Sequence, residues 1–270
     1  MWKPTSCAST GWTCIGNINT AGQYGSMSLT AGTTYYILLD DENSTIGTHT
    51  FYINAVDNIA PTTLINVVGN WQTQNFTTTY TDADNTGGSG VDMHYYQVLD
   101  YNGMEWRGNE SNGFYNDNFS TSLIPSWTVV DTSWHLISGH LEQTSTTSGN
   151  TNIYTAVAQD STHTFLYHWQ MMFNPGSNRR AGIYIYCSDP TQTQRGNAYM
   201  IWFRADDDKC QLYTVKNNTI STNLTDDNCT INDGVWYDCK ATYNPATGVL
   251  KAYLNDNLAS SYTDLSLIHI

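Results

Sequence analysis

Apolar and polar side chains alternate with a period of two along most of this chain, and no window of a dozen residues repeats its apolar positions at helical spacing. The stretch GVWYDCKATYNPATGVLKAYLNDN, residues 234–257, carries the pattern most clearly. Val235, Tyr237, Cys239, Ala241 and Tyr243 share one side of an extended segment, and Trp236, Asp238, Lys240 and Thr242 share the other. A turn follows at Asn244, Pro245, Ala246, Thr247 and Gly248. Leu250, Ala252 and Leu254 then oppose Val249, Lys251 and Tyr253. Asn255, Asp256 and Asn257 tolerate left-handed backbone, so a second turn is expected at once. The pattern predicts a half-buried antiparallel hairpin.

The same alternation assigns faces elsewhere. In RRAGIYIYC, Ala181, Ile183, Ile185 and Cys187 form the apolar side and Arg180, Tyr184 and Tyr186 the opposite one. In NAYMIWFRAD, Tyr199, Ile201 and Phe203 oppose Met200, Trp202 and Arg204; in FLYHWQMMF, Phe165, Tyr167, Trp169 and Phe173 oppose His168 and Gln170. If these strands are neighbours, one sheet presents His168, Gln170, Arg180, Tyr184, Tyr186, Trp202 and Arg204 together. Such a surface suits a glycan, because rings pack on sugar C–H faces while Arg, Gln and His bond hydroxyls. The same aromatics serve equally well as cross-strand structural pairs.

Composition narrows the setting. The chain of 270 residues has 40% hydrophobic residues, enough to bury a core, and a net charge of −14, which opposes binding to nucleic acid phosphates. No apolar run reaches membrane-spanning length. The start, MWKPTSCAST, lacks the basic and apolar parts of a signal peptide, and an export signal is expected to lie outside this sequence. The six cysteines form no C-x-x-C pair, and oxidised pairs in a secreted protein are the expectation; about fifteen connectivities are open, among them the set Cys7 with Cys14, Cys210 with Cys229 and Cys187 with Cys239. Buried free thiols are the alternative for the strand pair.

Three segments differ in pattern. Residues 1–58 contain SMSLTAGTTYYILLDDENSTIGTHTFYINAVD, two strands around a polar loop. The phrase LTAGTTYYI resembles the closing hairpin of bacterial pre-peptidase C-terminal β-sandwiches. Residues 59–112 open at Pro61 and alternate strands with Asp/Gly-rich and Asn-Gly turns, and they look like the immunoglobulin-like spacers of bacterial surface proteins. Asp82, Asp84 and Asp92 flank the Gly-rich turn there and are the candidate calcium ligands, although Thr86 departs from a D-x-D-x-D-G loop and solvated turns often carry such carboxylates.

Residues 113–264 hold about eleven short strands without a helix, which fits a two-sheet jelly roll. NRRAGIYIY, RGNAYMIWFRADD and the hairpin over 234–257 together resemble the concanavalin A-like, laminin G-like domains of secreted Bacteroidota proteins, with the last return strand missing. The resemblance implies an all-β architecture of small sandwich modules followed by a laminin G-like sandwich. It also implies adhesion to a polysaccharide or glycoprotein surface, in an extracellular or cell-surface setting. The final six residues, Leu265 to Ile270, match the translation of a transposon end used in sequencing-library preparation, and the natural sequence is expected to stop near Asp264.

Catalytic motifs are missing from the sequence. Sandwich glycosidases use paired carboxylates, often on a Glu-x-Asp-x-x-Glu strand. Glu42, Glu105, Glu110 and Glu142 occupy no such strand, and the chain has no H-E-x-x-H, G-x-S-x-G or phosphate-binding loop. An Asp206/Asp208 pair is conceivable, but RADDDKC reads first as a solvated turn. His94, His163 and His168 are scattered. The expected protein is therefore a non-catalytic binder needing no cofactor beyond calcium. A fibre subunit assembled by strand complementation and a glycan-processing enzyme are the alternatives.

Overall fold

The computed structural model describes residues 2–3, 11–14, 28, 30, 33–38, 59–66, 74, 76–86, 88, 90–101, 106–120, 123, 126–146, 149, 151–221 and 223–265. The chain forms two compact units, Met1–His94 and Tyr95–Ile270. Among the described residues there is no α-helix, only the 3-10 turn Glu110–Asn112, so the architecture is all-β.

Within the first unit, Trp2–Lys3 pairs with Tyr36–Ile37 and Thr62–Ile65 with Tyr80–Ala83, both antiparallel. Most of the expected second strand of the opening module lies outside the described residues. The second unit begins with three small ribbons, Leu99–Tyr101 with Trp106–Gly108, Thr128–Val129 with Ile153–Tyr154, and Trp134–Ile137 with His140–Gln143.

Its core is a sandwich of two antiparallel sheets. Its strands are β1 (Phe165–Met171), β2 (Arg180–Ile185), β3 (Ala198–Arg204), β4 (Lys209–Lys216), β5 (Thr219–Ile220), β6 (Asp227–Asn228), β7 (Tyr237–Asn244), β8 (Val249–Leu254) and β9 (Asn257–Thr263). One sheet has the order β1-β7-β8-β9; the other runs β2-β3-β4-β5, with β6 also pairing β4. Thus β1 and β2, adjacent in sequence, belong to different sheets.

Alternation explains why these segments bury one flank. Along β7 every second residue is buried: Tyr237, Cys239, Ala241 and Tyr243. They meet Tyr199, Ile201, Phe203, Cys210 and Leu212 of the other sheet in a single apolar cluster. Fully buried side chains such as Ile201, Phe203, Leu212 and Leu250 each contribute about 1.5–3 kcal/mol of hydrophobic stabilisation. The β7–β8 turn closes as its residues demand: Gly248 takes a φ of 69°, its N–H donates to the Asn244 carbonyl at 2.8 Å, and Asn244 Oδ1 accepts the Ala246 N–H at 3.0 Å. Asn255 and Asp256, at φ 48° and 64°, form the second expected turn. β9 returns along β8, with a register irregularity at Ala252 and Tyr253.

Among the described residues the Cys210–Cys229 and Cys187–Cys239 disulfides are not formed. Cys14, Cys187, Cys210, Cys229 and Cys239 are free, and Cys7 lies outside the described residues. Cys187 is drawn away from the interior by Tyr186, whose φ is 52°; its thiol donates to the Arg195 carbonyl at 3.1 Å. Cys210, Cys229 and Cys239 instead pack in the core as small hydrophobes. Burial pushes the Cys229 thiol up to about 11 and the Cys239 thiol up to about 12, so both are protonated at neutral pH.

Candidate functional site

The seven candidate glycan-binding residues divide between the two sheets. His168 and Gln170 lie on the outer flank of β1, in register with Lys240 and Asp238 of β7. There His168 Nε2 sits 3.0 Å from Asp238 Oδ1, and Lys240 is ion-paired with Asp238 and Asp256. Arg180, Tyr184, Trp202 and Arg204 lie on the outer flank of the other sheet. The single surface expected from sequence does not form, because β1 pairs with β7 rather than with β2.

Tyr186 turns partly inward. Its left-handed backbone reverses the alternation, and the ring packs edge-on against Tyr243 with centroids 5.0 Å apart. Burial raises its phenol pKa, with the nearby Tyr243 adding to the effect.

The outer flank of β2-β3-β4 is built in three cross-strand rows. The first places Tyr184 opposite Met200 and Met200 opposite Tyr213; the second holds Gly182, Trp202 and Gln211; the third holds Arg180, Arg204 and Lys209. In the first row Met200 is buried, and the Arg195 guanidinium lies 5.3 Å above the Tyr184 ring. Tyr184 is therefore engaged by its own chain. Trp202, half-buried, stands beside a position without a side chain. Only glycine fits at 182, since a Cβ there would lie 1.8 Å from the Ile201 carbonyl oxygen.

Hydrogen bonds link the three rows. Tyr213 Oη donates to Gln211 Oε1 at 2.8 Å, and Gln211 Nε2 donates to Asp226 Oδ1 at 2.6 Å. Arg180 Nε donates to Asp206 Oδ2 at 2.8 Å; Arg204 pairs with Asp207; Lys209 Nζ lies 3.3 Å from Asp226 Oδ2. Three cations thus face three carboxylates and the patch is close to neutral. Burial alone would raise the Asp206 carboxyl, but the bonds and charges of Arg180 and Arg204 outweigh it and hold the pKa below the ordinary range. The Gln211 bond does the same for Asp226, with Lys209 assisting. Sequence reading missed Gln211, Tyr213 and Asp226, although the polar flank of CQLYTVKNN carried the same alternation.

Asp82, Asp84 and Asp92 are not gathered as a calcium set, and among the described residues no three His, Cys, Asp or Glu side chains converge to hold a metal. The Asp84 carboxylate fixes its own turn, accepting from the Asn85 N–H at 2.8 Å and the Gly90 N–H at 2.6 Å. Asp82 accepts from Thr63 Oγ1 at 2.6 Å and lies 3.3 Å from His94 Nδ1. Asp92 is exposed. Asp206 and Asp208 belong to the β3–β4 turn, where Asp208 takes a φ of 55° and accepts the Ile231 N–H at 2.9 Å.

No family model matches the chain, and no curated protein matches it. Among solved structures it is similar to the carbohydrate binding module CBM66 from Bacillus subtilis, with 18% identity over 52% of this chain and 80% of that one, at a TM-score of 0.44.

Proposed function

We propose that the chain is a non-catalytic glycan-binding protein that takes an uncharged sugar surface on the outer flank of β2-β3-β4. The observation that carries this reading is Trp202, set beside the bare Gly182 position and in register with Gln211, above a row of paired cations and carboxylates. A ring face offers the C–H surface that a pyranose covers, and the partly exposed guanidinium groups of Arg180 and Arg204 supply donors for hydroxyls. Balanced charge favours a neutral ligand over an acidic one. The carboxylates support the absence of catalysis: a glycosidase acid needs a raised pKa, whereas Asp206 and Asp226 are both held down. An extracellular or cell-surface setting belongs to the same reading, since polysaccharide and glycoprotein sugars lie there. Glycan-array binding of the intact chain tests it: retention on neutral polysaccharides, lost in Trp202→Ala, is expected, and no retention on any glycan removes the proposal.

A fibre subunit built by strand complementation is the second reading. It is favoured by β9, whose sequence Asn257–Thr263 carries no charged side chain and whose far edge has no partner strand among the described residues. Light scattering on the intact chain should then show concentration-dependent polymers; a monomer throughout removes it.

A further inference from the structure

A different part of the sandwich carries a concave site. The segment after β6 and the turn between β8 and β9 border an open cleft of about 290 Å³, lined among others by Asn228, Thr230, Tyr237, Leu254, Asn257 and Leu258. No charged side chain lines it among the described residues. Leu254 and Leu258 supply apolar surface, and Leu258 is 56% exposed at the start of β9. The left-handed Asn255 and Asp256 hold the turn that presents Asn257.

The polar groups around the cleft are only partly used. Tyr237 is 6% exposed, and its hydroxyl accepts the Asn232 N–H at 2.8 Å while its own proton meets no acceptor among the described residues. Asn228 receives Lys209 Nζ on Oδ1 at 2.8 Å, which leaves its amide N–H groups for another partner. Asn257 donates through Nδ2 to the Asn255 carbonyl at 2.9 Å, which leaves Oδ1 to accept. Tyr237, Asn228 and Asn257 thus line a partly apolar hollow and keep hydrogen-bonding capacity that their own contacts leave unused.

We infer that this cleft is a ligand site for one uncharged, hydroxylated ring of monosaccharide size. The volume falls at the lower end of the roughly 300–1,000 Å³ found for small-molecule pockets, which suits a single ring rather than an extended chain. The absence of lining charge excludes recognition of a phosphate or carboxylate by ion pairing. This site does not depend on the Trp202 face.

Titration of the intact chain with free glucose, galactose, mannose and fructose, followed by two-dimensional amide NMR, tests the inference. Saturable shifts are expected for at least one sugar, centred on Thr230, Tyr237 and Leu258. Asn257→Ala and Tyr237→Phe should each weaken that binding about fivefold or more, the size of one lost hydrogen bond. Asn257 is exposed, so Asn257→Ala keeps the fold even if the buried variant does not. Trp202→Ala should leave the binding within about twofold, as for an independent, separated site. No saturable shift with any of the four sugars, or a loss that follows Trp202→Ala instead of Asn257→Ala, overturns the proposal.

Discussion

The Tyr199 hydroxyl donates to Asp264 Oδ2 at 2.8 Å, joining the middle of one sheet to the residue just beyond β9 in the other. Both residues are buried, and the Tyr243 hydroxyl lies 3.3 Å from that of Tyr199. Burial, with Tyr243 and Asp264 alongside, pushes the Tyr199 phenol pKa far up, so the hydroxyl stays a donor at any ordinary pH. Removing the carboxylate takes a hydrogen-bond acceptor from the buried Tyr199 hydroxyl. Asp264→Ala should therefore cost about 1–3 kcal/mol, read as a lowered urea midpoint at unchanged slope. An unchanged midpoint would mean that water already serves Tyr199.

The separation of the two outer flanks can be read in binding. Trp202→Ala should weaken glycan binding by about tenfold or more, within the range of a lost stacking aromatic at a binding hot spot. His168→Ala, on the opposite sheet, should leave it unchanged. Calorimetry on both variants decides, and equal losses would restore a single shared surface.

Gly182 is a structural requirement beside Trp202. A Cβ placed 1.8 Å from the Ile201 carbonyl oxygen forces β2 and β3 apart. Gly182→Ala should lower stability by about 1–3 kcal/mol, as overpacking does, and weaken binding at the same face. Thermal unfolding that matched the parent chain would show that the strands yield without cost.

Acid should unfold the chain by releasing its held carboxylates. The folded pKa of Asp206 lies below its ordinary 3.8, so its stabilising contribution is complete above that value and is lost as pH falls through the depressed one. Asp131, Asp160, Asp189 and Asp226 are depressed as well and act in the same direction. Stability measured from pH 6 downward should stay level until roughly pH 4 and then decline. A decline centred between pH 5 and 6 would assign it to other groups.

The core thiols give the opposite pH signature. Folded values of about 11 for Cys229 and about 12 for Cys239 lie above the ordinary 9.0. Their contribution is therefore complete below pH 9 and is lost as pH rises through the folded values. At neutral pH, Cys210, Cys229 and Cys239 should resist a thiol reagent until the chain is unfolded, whereas exposed Cys14 reacts at once. A native chain showing no titratable thiol even in denaturant would instead be fully oxidised.

Much of the sandwich was legible in the residues themselves. The inward sets Tyr237, Cys239, Ala241, Tyr243 and Tyr199, Ile201, Phe203 follow directly from alternation, because a pleated strand sends successive side chains to opposite sides whatever its partner. The turns at Asn244–Gly248 and Asn255–Asp256 were equally local, set by residues that accept unusual backbone. The site was less legible. Trp202 and Arg204 fall where alternation put them, but Gln211 and Asp226 join them only through pairing to β4 and the hydrogen bond between them.

What the sequence alone determined is where the main sandwich turns fall and which flank most of its strands hide, since these depend on neighbouring residues and on the period of an extended chain; the return strand β9 was not foreseen. Tertiary structure decided which strands share a sheet. It sent β1 to β7 and so parted His168 from Trp202, and it laid Arg195 over Tyr184. At Tyr186 a single left-handed residue reversed the pattern and turned an outward ring inward. Those outcomes depend on pairing and packing between segments far apart along the chain, and a period of two carries no record of its partner.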